Sequence, residues 1–247
     1  MKCTHCNSEL KTGEKIASLL TSCPFCGKSL AKKEEPPKIG SIIPFGNYKW
    51  RVLDVQDGNA LIITEDVIEE RPYNEENEGV TWRTCDLRKY LNNEFLRKFT
   101  KEQQGRIVEK KIPNPDNLWY GTKGGRDTRD KVFLLSLEEV DKYFGNSGDY
   151  LNKRRKRMEQ PNNDRTLIAD NEGQYFSNNH DKDRVAGYRS GCADMWWLRS
   201  PGYISCFAAN VFYNGSVSVT GGDVEDRDDD RFVVGRTAVR PALWLKV

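Results

Sequence analysis

Four cysteines fall as Cys3-x-x-Cys6 and Cys23-x-x-Cys26, with sixteen residues between the two pairs. Two thiolates in one tight turn make half of a tetrahedron, and a second such turn completes it, which is zinc-ribbon spacing. In Cys23-Pro24-Phe25-Cys26-Gly27 the glycine follows the last ligand and can take the positive φ that the turn needs. The stretch between the pairs (LKTGEKIASLL) has too few apolar residues to form a core. The metal must therefore supply the folding energy, and zinc in such peptides is worth about 10–16 kcal/mol. A redox dithiol would use one Cys-x-x-Cys on a βαβ frame, not two on a short ribbon. His5 sits inside the first pair, but four cysteines already close the shell. Cys3, Cys6, Cys23 and Cys26 are thus the expected ligands of a structural Zn²⁺.

Nothing comparable marks a catalytic centre. Nucleophilic catalysis needs a base beside the nucleophile, and the only histidines are His5 and His180. Cys85, Cys192 and Cys206 are unmatched; Cys192 or Cys206 with His180 is conceivable, yet Cys206 precedes Phe207 in an expected strand. No catalytic residue is assigned. Gly121-Thr122-Lys123-Gly124-Gly125 lacks the Lys-Ser/Thr placement and following helix of a phosphate loop. The pentad Lys153-Arg154-Arg155-Lys156-Arg157 reads as a solvated face or, with the ribbon, as a nucleic-acid contact. The run Asp223, Glu225, Asp226, Asp228, Asp229, Asp230 offers oxygen ligands but fits no EF-hand loop, so it reads as a solvated acidic loop.

These residues sit in a chain of 247, long enough for one substantial domain and a small appendage. Six Trp, ten Tyr and ten Phe can build a packed core despite a low mean hydropathy. With 39 basic against 37 acidic residues, no global field selects nucleic acid or an anionic membrane as partner. No apolar run is long enough to span a bilayer, and Cys3 and Cys6 fall where a signal peptide would be apolar. The expectation is a soluble, cytoplasmic protein with no membrane insertion.

The expected organisation is a ribbon over 1–30, a charged Pro-Pro linker over 31–40 and a second domain over 41–247. Tyr48–Val55 and Ala60–Thr64 flank Asp57-Gly58 and predict a β-hairpin. Leu87, Leu91 and Phe95 at four-residue spacing, with Tyr90 and Leu96, predict a helix near 84–98. Thr100-Lys101-Glu102-Gln103 and Ser136-Leu137-Glu138-Glu139 each predict a capping box opening a helix. Residues 112–130 carry turn chemistry throughout and predict a long loop, followed by a buried strand over 131–135. Residues 150–190 predict loops.

Near the C-terminus, Trp196-Trp197-Leu198-Arg199-Ser200-Pro201-Gly202 and Val239-Arg240-Pro241-Ala242-Leu243-Trp244-Leu245 bracket a middle rich in Tyr, Phe, Asn, Ser, Gly and Asp. A three-residue loop, Tyr213-Asn214-Gly215, with Gly215 left-handed, pairs Phe212 with Ser216 and puts Ala209, Val211, Val217 and Val219 on one buriable face. That register displays Asn210, Phe212, Tyr213, Asn214, Ser216 and Ser218. Aromatics give large contact area at low entropy cost, and small polar residues adapt hydrogen bonds. The expected ligand-binding set is Tyr203, Ser205, Phe207, Asn210, Phe212, Tyr213, Asn214, Ser216, Ser218, Asp223, Glu225, Asp226 and Asp228, facing a protein or other ligand.

The blocks WRVLDV, ALIITED, RPYNEE, TWRTCDLRKYLNNEFL, DNLWYGT, KVFLLSLEEVDKYF, WWLRSPG and VRPALWL resemble a bacterial family of uncharacterised domains, often preceded by a zinc ribbon. The resemblance covers 41–247. The last two blocks also look like the C-type-lectin-like fold, and resemble the variable proteins of diversity-generating retroelements and, distantly, the formylglycine-generating enzymes. That resemblance implies an α+β, C-type-lectin-like domain in which Tyr203–Phe232 is a diversified recognition surface of a non-catalytic module. The enzymatic relatives fit less well: Cys192 and Cys206 lie fourteen apart, and a three-histidine iron site has one histidine outside the ribbon. A formylglycine-generating-enzyme-like oxidase and a nucleic-acid-associated protein stand as the alternative expectations.

Overall fold

The computed structural model describes residues 6–9, 22–27, 36–144, 175–176, 179–187, 192–225 and 237–247. The chain divides into two compact units, Met1–Pro36 and Pro37–Val247.

The larger unit is mixed α+β. Its strands begin as an antiparallel meander, β1 (Ile42–Phe45), β2 (Tyr48–Gln56) and β3 (Asn59–Thr64). As expected, β2 and β3 form a hairpin about Asp57 and Gly58, both at positive φ, which matches the strands' twist. After β4 (Glu69–Glu70) comes helix α1 (Asp86–Tyr90), which continues through a π-helical turn (Leu91–Phe95) and a 3₁₀ turn (Leu96–Lys98). Leu87, Tyr90, Leu91 and Phe95 are its buried stripe, the spacing read from the sequence. Helix α2 (Lys101–Arg106) opens with the complete Thr100–Gln103 capping box. Short strands β5 (Ile107–Val108), β6 (Lys110–Ile112), β7 (Thr128–Asp130) and β8 (Val132–Phe133) follow. Helix α3 (Leu137–Tyr143) opens with the Ser136–Glu139 box. The expectation of an unbroken loop over 112–130 is corrected here: β6 and β7 pair antiparallel and close its base, because Ile112 and Thr128 are buried opposite one another.

The remaining elements are β9 (Tyr175–Phe176), α4 (Asp181–Arg184), β10 (Ala186–Gly187), β11 (Ala193–Asp194), β12 (Trp196–Pro201), β13 (Phe207–Val211), β14 (Val217–Asp223), β15 (Ala238–Val239) and β16 (Ala242–Lys246). One sheet has the order β1-β2-β3-β16-β5, with β8 also on β16. A second has the order β4-β15-β12-β13-β14-β9. The chain passes between them at Arg240-Pro241, the link between β15 and β16. Among the described residues no helix is long and apolar enough to cross a membrane.

The core is aromatic, and the four fully buried tryptophans each give their indole N–H an acceptor, as burial of a polar tip requires. Trp50 donates to Phe45 O (2.8 Å), Trp82 to Asp130 Oδ2 (2.9 Å), Trp196 to Arg184 O (3.1 Å) and Trp197 to Arg71 O (2.9 Å). The two signature blocks supply buried cations as well. Arg199 forks onto Glu139, the capping residue of α3, and also donates to the carbonyls of Leu134 and Pro113. Arg240 donates to the carbonyls of Thr64 (2.9 Å), Glu65 (3.0 Å) and Arg184 (3.2 Å), with its guanidinium over Trp196 and Phe144. Burial lowers Arg240 to about 10, so it is still charged at neutral pH. Both blocks are framework.

Candidate functional site

In the first unit the Sγ atoms of Cys6, Cys23 and Cys26 all lie within 4.8 Å of one another. Cys6 and Cys23 are 3.7 Å apart. A tetrahedral ion with sulfur arms of about 2.3 Å has edges of about 3.8 Å, so these thiols stand as corners around a metal-sized centre. The second turn is closed by Gly27 N–H donating to Cys23 O (2.8 Å), with Gly27 at φ 69°, as its place after the ligand predicts. Cys3 and His5 lie outside the described residues. The three thiols can hold a metal ion.

In the second unit the C-terminal hairpin has the expected register. Val211 pairs with Val217 and Asn210 with Ser218, and Phe212 N–H donates to Ser216 O (2.8 Å). Gly215 is left-handed at φ 84°, and a Cβ there would stand 1.9 Å from Asp181 O, so only glycine fits beneath α4. Ala209, Val211, Val217 and Val219 are buried together.

The display face needs correction. Asn210 is 3 % exposed, Ser218 2 %, and Ser216 is buried too. The reason is a second cover. Trp197, the cross-strand partner of Asn210, packs edge-on against Tyr73 and bonds to Arg71 O, so the segment following β4 lies over this face. Ser218 is occupied locally, accepting from Gly221 N–H, and Ser216 donates twice to Asn214 Oδ1. Phe212 is half-buried; Tyr213 (61 % exposed) and Asn214 remain outside, at the hairpin tip.

The expected surface therefore splits. Tyr213 and Asn214 occupy one end of the hairpin. Tyr203, Ser205, Phe207, Asp223 and Glu225 gather at the other, about 17 Å away for five residues of strand. Asp226, Asp228 and the basic run 153–157 lie outside the described residues.

At that second end, two loops from elsewhere in the chain close in. Asn117 donates to Pro201 O (2.8 Å) and Val219 O (2.8 Å), tying the 113–127 loop to both β12 and β14. Thr122 donates to Tyr203 O, and the Tyr120 hydroxyl meets Thr220 Oγ1 at 3.0 Å. Tyr120, Tyr203 and Phe207 then form a chain of edge-to-face rings at 6.1 and 4.7 Å. From the other side, Val80 N–H donates to Ser205 O, Asn74 N–H to Val224 O and Asn77 to Asp223 Oδ2. This places exposed Glu75, Glu76 and Glu78 beside Asp223 and Glu225. Ile204 stands 41 % exposed among them. The result is a half-buried aromatic ridge with a carboxylate flank, held on backbone hydrogen bonds.

Tyr120, Thr122 and the 74–79 segment are the residues that the sequence reading missed. Their blocks, RPYNEE and DNLWYGT, are distinctive, but nothing local in them says that they meet Tyr203.

The remaining thiols do not assemble. Cys192 and Cys206 lie beyond opposite ends of β12, roughly 20 Å of strand at 3.3 Å per residue. His180 bonds to Asp183, its neighbour in α4 (3.1 Å). Cys85 is fully buried against Trp82 O, and burial pushes its thiol up to about 12. Its reactive thiolate fraction is therefore negligible at pH 8 and becomes substantial only as pH approaches 12. Iodoacetamide labelling followed by mass spectrometry of the native chain should modify exposed Cys192 at pH 8 and leave Cys85 intact. Equal labelling of both would contradict this burial.

Taken together, these features define a two-unit, mixed α+β protein with clustered thiols in the first unit and a loop-built surface in the second. The chain belongs to the DUF6273 family: the family described as "Domain of unknown function (DUF6273)" matches residues 57–247. No curated protein matches the chain, and no solved structure does.

Proposed function

We propose that this chain is a non-catalytic recognition protein, in which a C-type-lectin-like domain presents the loops around Tyr203 and a zinc ribbon precedes it. The observation that carries the reading is the aromatic ridge Tyr120–Tyr203–Phe207 beside five carboxylates, tied to β12 and β14 by the Asn117 amide. Supporting the fold reading, the last strand, β16, pairs with β3 of the opening hairpin, so both ends of the domain meet in one sheet. The long excursion between them returns through β12, β13 and β14, with the 202–206 loop and the 113–127 loop meeting at one end of the hairpin. In the diversified reading, substitutions fall at Tyr203, Ser205, Phe207 and Asp223–Glu225, while buried Asn210, Ser216 and Ser218 stay fixed.

The surface chemistry selects the partner. Half-buried rings offer apolar contact and cation–π faces, and Glu75, Glu76, Glu78, Asp223 and Glu225 attract positive charge. A protein segment carrying Lys or Arg beside aliphatic or aromatic side chains is complementary. Cys6, Cys23, Cys26 and Cys3 would hold zinc as thiolates, which fits a reducing, cytoplasmic setting. Zinc there is structural: it fixes the two turns and takes part in no reaction.

Selection of a random peptide display library on the full-length chain tests this. Enriched peptides should carry Lys or Arg with an aromatic or aliphatic residue, and their affinity should fall steeply as NaCl rises past about 0.15 M, where the Debye length is about 8 Å. Enrichment of uncharged peptides whose binding ignores salt would overturn the charge reading.

A further inference from the structure

We propose that the groove between α1 and β7 is a binding site for a phosphate-type oxyanion. The groove encloses about 360 Å³ and is lined by Arg83, Arg88, Asp127, Thr128 and Arg129. Arg88 organises it. Its Nε donates to Asp130 Oδ1 (2.7 Å), Nη1 to Arg83 O (3.1 Å) and Nη2 to Arg129 O (3.4 Å). One guanidinium thus clips together the two backbone positions from which the other two arise, and the three are brought to one concavity.

The charges there are not mutually cancelled. Asp130 is buried and wholly occupied, accepting from Arg88, Trp82 Nε1 (2.9 Å) and Thr128 Oγ1 (2.6 Å), so it neutralises Arg88 and nothing more. Asp127 is paired with Lys111 at 2.9 Å, outside the set of arginines. Among the described residues Arg129 pairs only with Glu109, at 3.7 Å, both side chains being half or more exposed. Arg83 is exposed and makes no ion pair among the described residues. Two guanidinium forks are therefore available above a third that is fixed.

A guanidinium offers parallel N–H donors that match two oxygens of one anion. A carboxylate, with two oxygens, is satisfied by a single fork. A tetrahedral dianion, with four, can engage two forks and the residual donors of Arg88 together. The geometry therefore favours phosphate or a phosphomonoester over a carboxylate. This site is remote in sequence from Tyr203–Glu225 and does not depend on the recognition reading.

The test is calorimetric titration of the full-length chain with inorganic phosphate and with acetate at matched ionic strength. Saturable phosphate binding at least tenfold tighter than acetate is expected, weakening as pH falls from about 8 to about 6, the range over which inorganic phosphate takes up its second proton and becomes a monoanion. The double variant R83S/R129S, both positions exposed, should lose at least tenfold in phosphate affinity with an unchanged melting temperature. Arg88 is left intact because Asp130 depends on it. Absence of saturable phosphate binding, or full retention by the double variant, would overturn the proposal.

Discussion

Replacing Arg240 with methionine lowers the stability of the 37–247 unit by about 3–5 kcal/mol. Methionine keeps most of the apolar volume between Trp196 and Phe144, so cavity formation is not the main cost. The loss comes from the acceptors left behind. Arg240 is the donor to Thr64 O and Glu65 O, while Arg184 O keeps its bond from Trp196 Nε1. Stranding a buried carbonyl costs about 1–3 kcal/mol, and the lost cation–π contacts add to it. For a domain of this size each kcal/mol is worth about 2–4 °C, so the melt should fall by roughly 10 °C. Arg199→Met acts similarly: it leaves Glu139 unpaired at the head of α3 and frees the carbonyls of Leu134 and Pro113. Lys89→Met, which removes only the exposed pair with Asp86, should stay within about 0.5 kcal/mol of the parent. Calorimetric melts of the three variants decide it; an unshifted Arg240→Met would mean that these bonds contribute nothing net.

Chelating the zinc proposed for the first unit should unfold residues 1–36 and leave the larger unit's melt unchanged. The apolar content between the cysteine pairs is too small to hold a fold alone, whereas metal binding to such a ribbon is worth about 10–16 kcal/mol. The thiol spacing of 3.7 Å is close to the edge of a zinc–sulfur tetrahedron. Elemental analysis of the purified chain should give one zinc per molecule, and Cys23→Ser should lower that content sharply. Amide exchange across 1–36 should rise to unprotected rates on chelation. A metal-free chain with the same protection as the untreated protein would contradict this.

Much of the local architecture was legible because its signals are short-range. The Asp57-Gly58 turn, both capping boxes, the Leu87–Phe95 stripe and the Phe212–Ser216 register each depend on residues within a few positions of one another. The mixed α+β class was implied by the resemblance of the sequence blocks and not by these local signals. What escaped was long-range. Alternation puts Asn210 and Ser218 opposite the valine face, but only tertiary closure by Tyr73 and Trp197 decides that this face is covered as well. For the same reason the surface at Tyr203 could not be completed from its own segment, since Tyr120 and Asn77 arrive from loops far back in the chain. The arginine groove is a similar case, because Arg129 is brought to Arg83 and Arg88 by a guanidinium that bonds to a carbonyl from a distant strand.

The recognition reading turns on which end of the hairpin binds. The most direct measurement is the affinity of a library-selected peptide for two variants of the full chain, each first shown to melt within a few degrees of the parent. One carries Tyr203→Ser, Ile204→Ser and Glu225→Gln at the loop end; the other carries Tyr213→Ser and Asn214→Ala at the tip. Binding at least tenfold weaker for the first and unchanged for the second is expected. Loss at the tip with full binding at the loop end would overturn the assignment of the loop end as the recognition surface.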